Sequence, residues 1–266
     1  MASEIDNEKG PSAQQEEMIN ELCKLLLEVG SLLMSSGANT SRIRMTVLRI
    51  ANAYGYNAEL LITHRALMLT VFDEYRDFFF SRLKRTSPHG SNFKMVSGIS
   101  RMSWCIVREK WTLGEVWSEI ERLRKVPRYS RLVVLLMVSL AGASFCGLAG
   151  GGYPEMLSAY IATFAGLFVR QTFARKSFNP YLCIFFGALV SSLIAGLTVK
   201  YALTPNPEYA FSTSVLYLIP GIPLINSFSD LVDGNIMNGI VRGINGLIIA
   251  FSIAMGMLGA ILVYGI

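Results

Sequence analysis

The chain has 266 residues, of which 52% are hydrophobic and only 16% charged, and its mean hydropathy is +0.42. Soluble domains carry about 25% charged residues, so this composition excludes an ordinary soluble protein and indicates a membrane protein. The net charge of +5 does not indicate nucleic-acid binding, because many of the basic residues lie where the sequence predicts membrane boundaries.

The charged residues divide the chain into two parts. All but five of the 24 Lys and Arg residues, and all but four of the 19 Asp and Glu residues, precede Leu132. This predicts water around the first part and lipid around the second. Residues 1–15 are polar and lack an apolar core, which predicts a disordered amino terminus rather than a signal peptide. We therefore expect a cytoplasmic α+β domain over 16–130 and an all-α transmembrane bundle over 131–266.

Hydrophobic periodicity predicts the elements of the first domain. Two helices come first, one ended by Gly37 and the other beginning at about Thr40. Three strand-like runs follow, with the sequences AELLIT, ALMLTVF and DFFFSRL. Two more helices are predicted within SNFKMVSGISRMSWCIVREK and WTLGEVWSEIERLRKV. In the last of these, Thr112 and Glu115 have the spacing of a capping box.

This domain lacks the sequence motifs of catalytic sites. The two histidines, His64 and His89, have no partner at a recognisable spacing, and no GxSxG, HExxH or phosphate-binding glycine loop occurs. The four cysteines are scattered, with no CxxC pair, so neither a disulfide framework nor a zinc site is predicted. We expect no cofactor, no metal and no catalytic residue.

Five apolar stretches follow Arg131, and about 20 apolar residues suffice to cross a bilayer. Small residues recur at intervals of four on three of the stretches, which predicts closely packed helices. Basic residues cluster at the ends that would share one side, which predicts an inner-membrane protein with a cytoplasmic amino-terminal domain and an external carboxyl terminus. The stretches are Leu132–Ala149, Pro154–Val169, Tyr181–Val199, Ala210–Ile225 and Gly243–Tyr264.

The fourth stretch contains a helix-breaking sequence. Pro220 and Pro223 remove two backbone donors, and Gly221 lies between them, so a helix from Ala210 is expected to kink or unwind here and to restart after Pro223. Broken backbone at membrane depth is tolerated only where protein or a watery cavity satisfies it. The fourth helix is therefore predicted to be discontinuous and to take part in gating.

Polar residues follow the break at helical spacing. Two interpretations fit them: a substrate or ion path through the membrane, or an ordinary cytoplasmic loop with solvated carboxylates. One stripe lies before Gly234 and a second lies after it. The stripes are Asn226, Asp230 and Asp233, then Asn235, Asn238, Arg242 and Asn245.

The segment LIPGIPLINSFSDLVDGNIMNGIVRG resembles the signature of the threonine/serine exporter family. Two earlier segments, GSLLMSSGANTSRIRMTVLRIANAYG and RYSRLVVLLMVSLAGASFCGLAGGGYPEMLSAYIATFAGLFVRQ, resemble that family as well, and Tyr153 departs from its usual tryptophan. The resemblance covers the chain from about Glu17 onward. Residues that match the family's pattern are Gly37, Ala38, Thr40, Arg42, Pro220, Gly221, Pro223, Asn226, Asp230, Gly234, Gly239 and Arg242.

The resemblance is closest to the short, split branch of the family, since long members continue into a second membrane half. It implies a subunit that exports threonine and serine, or a dicarboxylate such as succinate, together with a second small membrane protein in a homo- or hetero-oligomer. No ATP motif is present, so we expect secondary transport.

The polar residues after the break are the candidates for substrate binding. Arg242 and the positive end of the restarted helix are expected to contact the substrate carboxylate. Asn226 would orient the substrate, and Asp230 would carry a coupling proton or hold an ammonium group. Ser227 and Asn238 complete the predicted site.

Two alternatives to a transporter remain open from the sequence. The first is a membrane-anchored, hydrolase-like enzyme whose cytoplasmic domain performs the chemistry. The second is a membrane sensor or scaffold that binds a ligand or a partner without transport.

Overall fold

The computed structural model describes residues 13–73, 79–86, 90–127 and 129–265. Within these ranges the protein is mostly helical, with ten α-helices and one three-stranded sheet. The chain forms two compact units. The first comprises Met1–Val126 and Ile225–Arg242, and the second comprises Pro127–Leu224 and Gly243–Ile266. Residues 1–12 of the predicted disordered terminus, and His89, lie outside the described residues.

The first unit contains both classes of secondary structure that the sequence predicts. Its four amino-terminal helices surround one core with a small antiparallel sheet. The elements are α1 (Ala13–Ser35), α2 (Thr40–Ala53), β1 (Asn57–Ile62), β2 (Ala66–Phe72), β3 (Phe79–Arg85), α3 (Phe93–Glu109) and α4 (Leu113–Lys125).

Helix α1 is the centre of this unit. It packs against α2, α3, α4, β2 and β3, and it is therefore buried around most of its circumference rather than along a single stripe. Leu22, Leu25, Leu26, Val29 and Leu33 are fully buried. The burial of so many apolar side chains makes α1 the main source of hydrophobic stabilisation in the first unit.

The sheet has the strand order β1-β2-β3 and is antiparallel throughout. Alternation along β2 directs Leu67, Leu69 and Val71 into the core, as expected for a sheet with one buried face. The other face carries exposed apolar side chains, with Met68 opposite Leu61 on β1 and opposite Leu83 on β3.

The second unit is built from helices. Its elements are α5 (Arg131–Leu148), α6 (Tyr153–Arg175), α7 (Pro180–Lys200), α8 (Pro207–Thr213) and a 3₁₀ turn (Leu216–Leu218), with the carboxyl-terminal part of α10 (Ile236–Tyr264). Helix α6 packs against both α5 and α7. Small residues at four-residue spacing are buried on α7 (Gly187, Ser191 and Ala195), in agreement with close helix packing.

The predicted bundle of five spanning helices is not confirmed. Among the described residues, α5, α7 and α10 are long and apolar enough to cross a membrane, and the bent pair at the helix break makes four if it counts as one span. Helix α6 has 23 residues but is not among them. Charged residues such as Glu155, Arg170 and Arg175 lower its mean hydropathy.

The predicted break in the fourth stretch is present, but the helix restarts earlier than expected. The bent pair consists of Pro207–Leu218 and α9 (Gly221–Val232), at an angle of 61°. Helix α9 begins at Gly221 rather than after Pro223, with the N–H of Leu224 donating to the carbonyl of Pro220 (3.1 Å). Pro223 is tolerated in the first helical turn, because N–H groups there have no helical partner.

The capping box of α4 is confirmed. The backbone N–H of Glu115 donates to the Thr112 hydroxyl, and the Glu115 carboxylate accepts from the Thr112 N–H (2.7 Å). The same hydrogen bonds lower the pKa of Glu115 below its usual value.

We expect the Thr112→Ala variant to lose about 1 kcal/mol of unfolding free energy, because one N-terminal N–H of α4 loses its partner. Ser97→Ala, an exposed change inside α3, is the control and should shift stability by less than about 0.5 kcal/mol. Denaturation in detergent, followed by tryptophan fluorescence, measures both. Equal stability of the two variants would contradict the prediction.

Candidate functional site: a helical hairpin with a buried ion pair

Helices α9 and α10 are joined by a tight turn at Gly234. The N–H of Asn235 donates to the carbonyl of Asp230 (2.7 Å), and that of Gly234 donates to Leu231 (3.2 Å), which is the pattern of a Schellman motif. Gly234 has φ +78°, a conformation that glycine adopts without strain. The turn folds Ile225–Arg242 into a hairpin, which we call the α9–α10 hairpin.

The two arms of the hairpin are linked above the turn. Ser227 is buried, and its hydroxyl donates to the carbonyl of Gly239 (2.7 Å). A Cβ atom on Gly239 would lie 3.0 Å from the Ser227 carbonyl oxygen and 2.7 Å from Leu231 Cγ. The arms approach this closely only because residue 239 lacks a side chain. Ser227 and Gly239 therefore have a structural role in this unit.

The connection between α1 and α2 is also built on a glycine. Gly37 has φ +90°, and the N–H groups of Gly37 and Ala38 donate to Met34 and Leu33 in a second Schellman motif. Asn39 then caps α2, accepting from the backbone N–H of Arg42 (3.0 Å). A side chain at residue 37 would also meet the Gly90 carbonyl oxygen, 2.8 Å from the Cβ position.

Polar side chains of the hairpin bind carbonyl groups of this connection. The amide of Asn226 donates to the carbonyl of Gly37 (2.9 Å). The guanidinium of Arg242 donates through Nη2 to the carbonyl of Ala38 (3.2 Å). Residues separated by about 200 positions in sequence are therefore joined by hydrogen bonds inside the first unit.

Asp230 binds the first helical residue of α2. Its Oδ1 accepts the backbone N–H of Thr40 (3.0 Å), so the carboxylate lies at the positive end of the α2 dipole. Asn238 lies beside it and donates to the Thr40 hydroxyl (3.5 Å) and to the carbonyl of Ile62 (2.9 Å). These contacts occupy the side chains of two predicted substrate ligands.

Asp230 and Arg242 form a buried ion pair. Asp230 has no exposed surface and Arg242 is 7% exposed, while Arg242 Nη1 lies 3.0 Å from Asp230 Oδ2. The geometry of this contact is electrostatic rather than that of a hydrogen bond, and neither atom has another hydrogen-bond partner in the described part of the chain. Each therefore retains the capacity to bind another polar group.

A further cation contacts the hairpin that carries the ion pair. Arg44 donates to the side chain of Asn235 (3.4 Å) at the hairpin turn. Burial, together with the positive charges of Arg65 and Arg242, lowers the pKa of His64 below its usual value. Sequence reasoning missed Arg44, His64 and the backbone of the α1–α2 connection, because nothing in their spacing relates them to residues 225–242.

The stripe predicted before Gly234 is only partly buried. Asn226 is half-buried and Asp230 is buried, whereas Asp233 is exposed because it follows the last residue of α9. In the second stripe, Asn245 accepts a hydrogen bond from the Tyr181 hydroxyl (2.8 Å) within the second unit. Within the described ranges, no three His, Cys, Asp or Glu side chains lie together as a metal site would require.

Comparison with known proteins gives the family of this chain. The family described as "Putative threonine/serine exporter" matches residues 24–264. The chain belongs to the threonine/serine exporter family. Gly37, Gly234, Gly239, Asp230 and Arg242 are among the residues that the sequence analysis matched to the family's pattern. No solved structure matches the chain.

Relatives in this family have both lengths that the sequence analysis considered. "Probable succinate transporter subunit YjjP" of Escherichia coli (strain K12) is 26% identical over 95% of this chain and 97% of that protein. The Klebsiella aerogenes protein of the same name is 25% identical over 91% of this chain and 94% of that protein. A "Threonine/serine exporter" of Corynebacterium glutamicum is 24% identical, over 87% of this chain and 49% of that protein.

These findings confirm the prediction of a transporter and do not support the alternative of an enzyme. The family and the relatives' names are those of exporters and transporters. Together with the apolar helices α5, α7 and α10, they identify this chain as a membrane protein.

We expect Asp230→Asn to lower the free energy of unfolding of the first unit by about 3–5 kcal/mol, because Arg242 would remain buried without a counter-charge. Asp233→Asn changes an exposed carboxylate in the same hairpin and should have an effect below about 0.5 kcal/mol. All three tryptophans of the chain lie in the first unit, so tryptophan fluorescence during denaturation in detergent reports this unit.

A double variant tests the electrostatic cause. Asp230→Leu with Arg242→Met removes both charges and should be less destabilising than Asp230→Asn alone. If the single and double variants are equally unstable, the loss does not come from an unpaired charge.

The lowered pKa of His64 predicts a loss of stability in acid. In the unfolded chain, the imidazole of His64 has a pKa of about 6.5, whereas in the folded chain its pKa is lower. The free energy of unfolding should therefore decrease as the pH falls below about 6.5. His64→Gln should reduce this loss between pH 7.5 and 5.5, and His89→Gln serves as the control. Melting temperatures measured across this pH range test the prediction. A pH profile of His64→Gln equal to that of the native chain would show that His64 does not cause the loss of stability.

Proposed function

We propose that this protein is a subunit of a secondary exporter of small carboxylate metabolites, with a dicarboxylate such as succinate as its principal substrate. The preference for a dicarboxylate over threonine or serine is supported by the two succinate transporter subunits, which the chain covers almost completely. The word "subunit" in their names supports a second membrane protein as partner.

The observation that carries the proposal is the buried Asp230–Arg242 pair beside a broken helix. Ionisable residues in or near membrane spans are costly and are typical of substrate and ion paths. Arg242 supplies the guanidinium that a carboxylate requires, and Asp230 is the group that such a substrate would replace.

A proton on Asp230 would make this replacement favourable. Protonation neutralises the carboxylate, weakens its attraction to Arg242 and leaves the cation free for the substrate. The Thr40 N–H and the Ala38 carbonyl, which now bind the pair, would then lose their partners. Substrate binding would thereby be coupled both to a proton and to the α1–α2 connection.

The remaining predicted residues have supporting roles in this proposal. Asn226 and Asn238 would exchange their present carbonyl partners for the substrate, and Ser227 would keep the hairpin closed. Pro220, Gly221 and Pro223 would permit the movement at the break. We further propose the inner membrane, a cytoplasmic domain over 16–130 and an external carboxyl terminus.

Transport assays in proteoliposomes test the proposal. The full chain, purified with the membrane proteins that remain bound to it, is reconstituted, and counterflow of labelled succinate, threonine and serine is measured. We expect saturable succinate flux that falls at least about tenfold in Arg242→Gln, because one charge-assisted contact is lost. Asp233→Asn should transport normally.

The pH dependence of flux tests the role of Asp230. Asp230→Asn should lose the acceleration by acid that a coupling proton produces. Undiminished and equally pH-dependent flux in Asp230→Asn would remove this residue from the mechanism. No flux of any of the three compounds by a folded complex would refute the proposed function and favour a sensor.

A further inference from the structure

The interior of the second unit contains a polar cluster next to the helix break. Tyr217 belongs to the 3₁₀ turn that precedes Pro220, and its hydroxyl lies 3.3 Å from the Oγ of Ser191 on α7. Ser191 is fully buried and donates to the carbonyl of Ala162 on α6 (3.1 Å). The proton of the Tyr217 hydroxyl therefore remains available to Ser191 or to a ligand.

Glycine makes room for this cluster. A Cβ atom on Gly187 would lie 3.3 Å from the Tyr217 hydroxyl and 3.2 Å from Cβ of Arg170. The Tyr217 hydroxyl and the base of the Arg170 side chain thus both lie next to the bare backbone of Gly187 on α7. A larger residue at 187 would crowd both of them.

Arg170 has no polar partner in the described part of the chain. No ion pair and no hydrogen bond engages its guanidinium, although its charge interacts with Tyr217 and with Cys183. Two other arginines that are not exposed are engaged: Arg131 donates to Gln171 (2.9 Å), and Arg242 pairs with Asp230.

A half-buried cation without a counter-ion is unusual among membrane helices. Charged residues there normally pair with one another or with backbone carbonyls, because the surroundings have a low dielectric constant. Arg170 is half-buried and lies five residues before the end of α6. Its position leaves its charge available for an anion.

We propose that Arg170 and Tyr217, whose hydroxyl lies beside Ser191, form a binding site for the carboxylate group of a small anionic metabolite. A guanidinium binds both oxygens of a carboxylate, and the phenol adds a third donor at the helix break. The site is separate in its residues from the Asp230–Arg242 pair. It rests on the proposed function only for the choice of succinate as the probe.

Direct binding tests the site without requiring transport. The full chain in lipid nanodiscs is titrated with labelled succinate, and succinamide, which lacks both carboxylates, serves as the competitor that should not displace it. We expect Arg170→Gln to raise the Kd at least about tenfold and Arg170→Lys to raise it less, since the charge remains.

Two further variants change the site without changing its charge. Tyr217→Phe removes one hydroxyl and should raise the Kd about three- to tenfold, while Gly187→Ala crowds the site and should weaken binding as well. Arg175→Gln, an exposed cation on the same helix, should bind within about twofold of the native chain. If Arg170→Gln fails to fold, Tyr217→Phe and Gly187→Ala still test the site.

The outcomes separate this inference from the proposed function. Succinate binding that depends on Arg242 but is unchanged in Arg170→Gln and Tyr217→Phe overturns the inference and leaves the exporter intact. Absence of succinate binding by the native chain also overturns it. Binding that is lost in Arg170→Gln, in a protein that shows no counterflow, supports the site and refutes the exporter.

Discussion

The burial of Asp230 and Arg242 is the constraint on which the organisation of the first unit depends. Removing two ions from water costs several kcal/mol for each ion, and their mutual attraction offsets this only when further polar groups assist. Here those groups belong to the backbone, the N–H of Thr40 and the carbonyl of Ala38. The α1–α2 connection must therefore keep one conformation, and Gly37 permits it.

The same constraint underlies the role in transport that we propose for the hairpin. A pair that is stable only while its backbone partners remain in place responds strongly to anything that changes one charge. A proton on Asp230 and a carboxylate near Arg242 act in the same direction, because both weaken the attraction that holds the pair together. Protonation and anion binding would thus be linked through residues of a single unit.

The second unit provides different hydrogen-bond partners for its buried polar groups. Its helices bury hydroxyls that bind carbonyl oxygens, such as Thr163, which donates to Ser214 (3.2 Å) where the fourth stretch leaves the helical conformation. Broken backbone among apolar helices needs such partners. Arg170 differs from these hydroxyls, since no hydrogen bond and no ion pair engages its guanidinium in the described part of the protein. Tyr217 lies in the 3₁₀ turn at this break, with its hydroxyl 3.3 Å from Ser191 Oγ.

The sequence by itself determined the local structure. Periodicity and capping residues placed α1 to α4, the three strands and the break at Pro220 close to their positions in the structure, since these features depend on neighbouring residues. Helical spacing predicted that Asn226 shares a helix face with Asp230, and that Asn238 shares one with Arg242. It could not show that both pairs contact the α1–α2 connection, that Asp233 is exposed, or that Arg170 has no counter-ion among the described residues. Spacing decides which residues share a helix face, whereas only tertiary packing decides what that face meets and which charges it leaves unpaired.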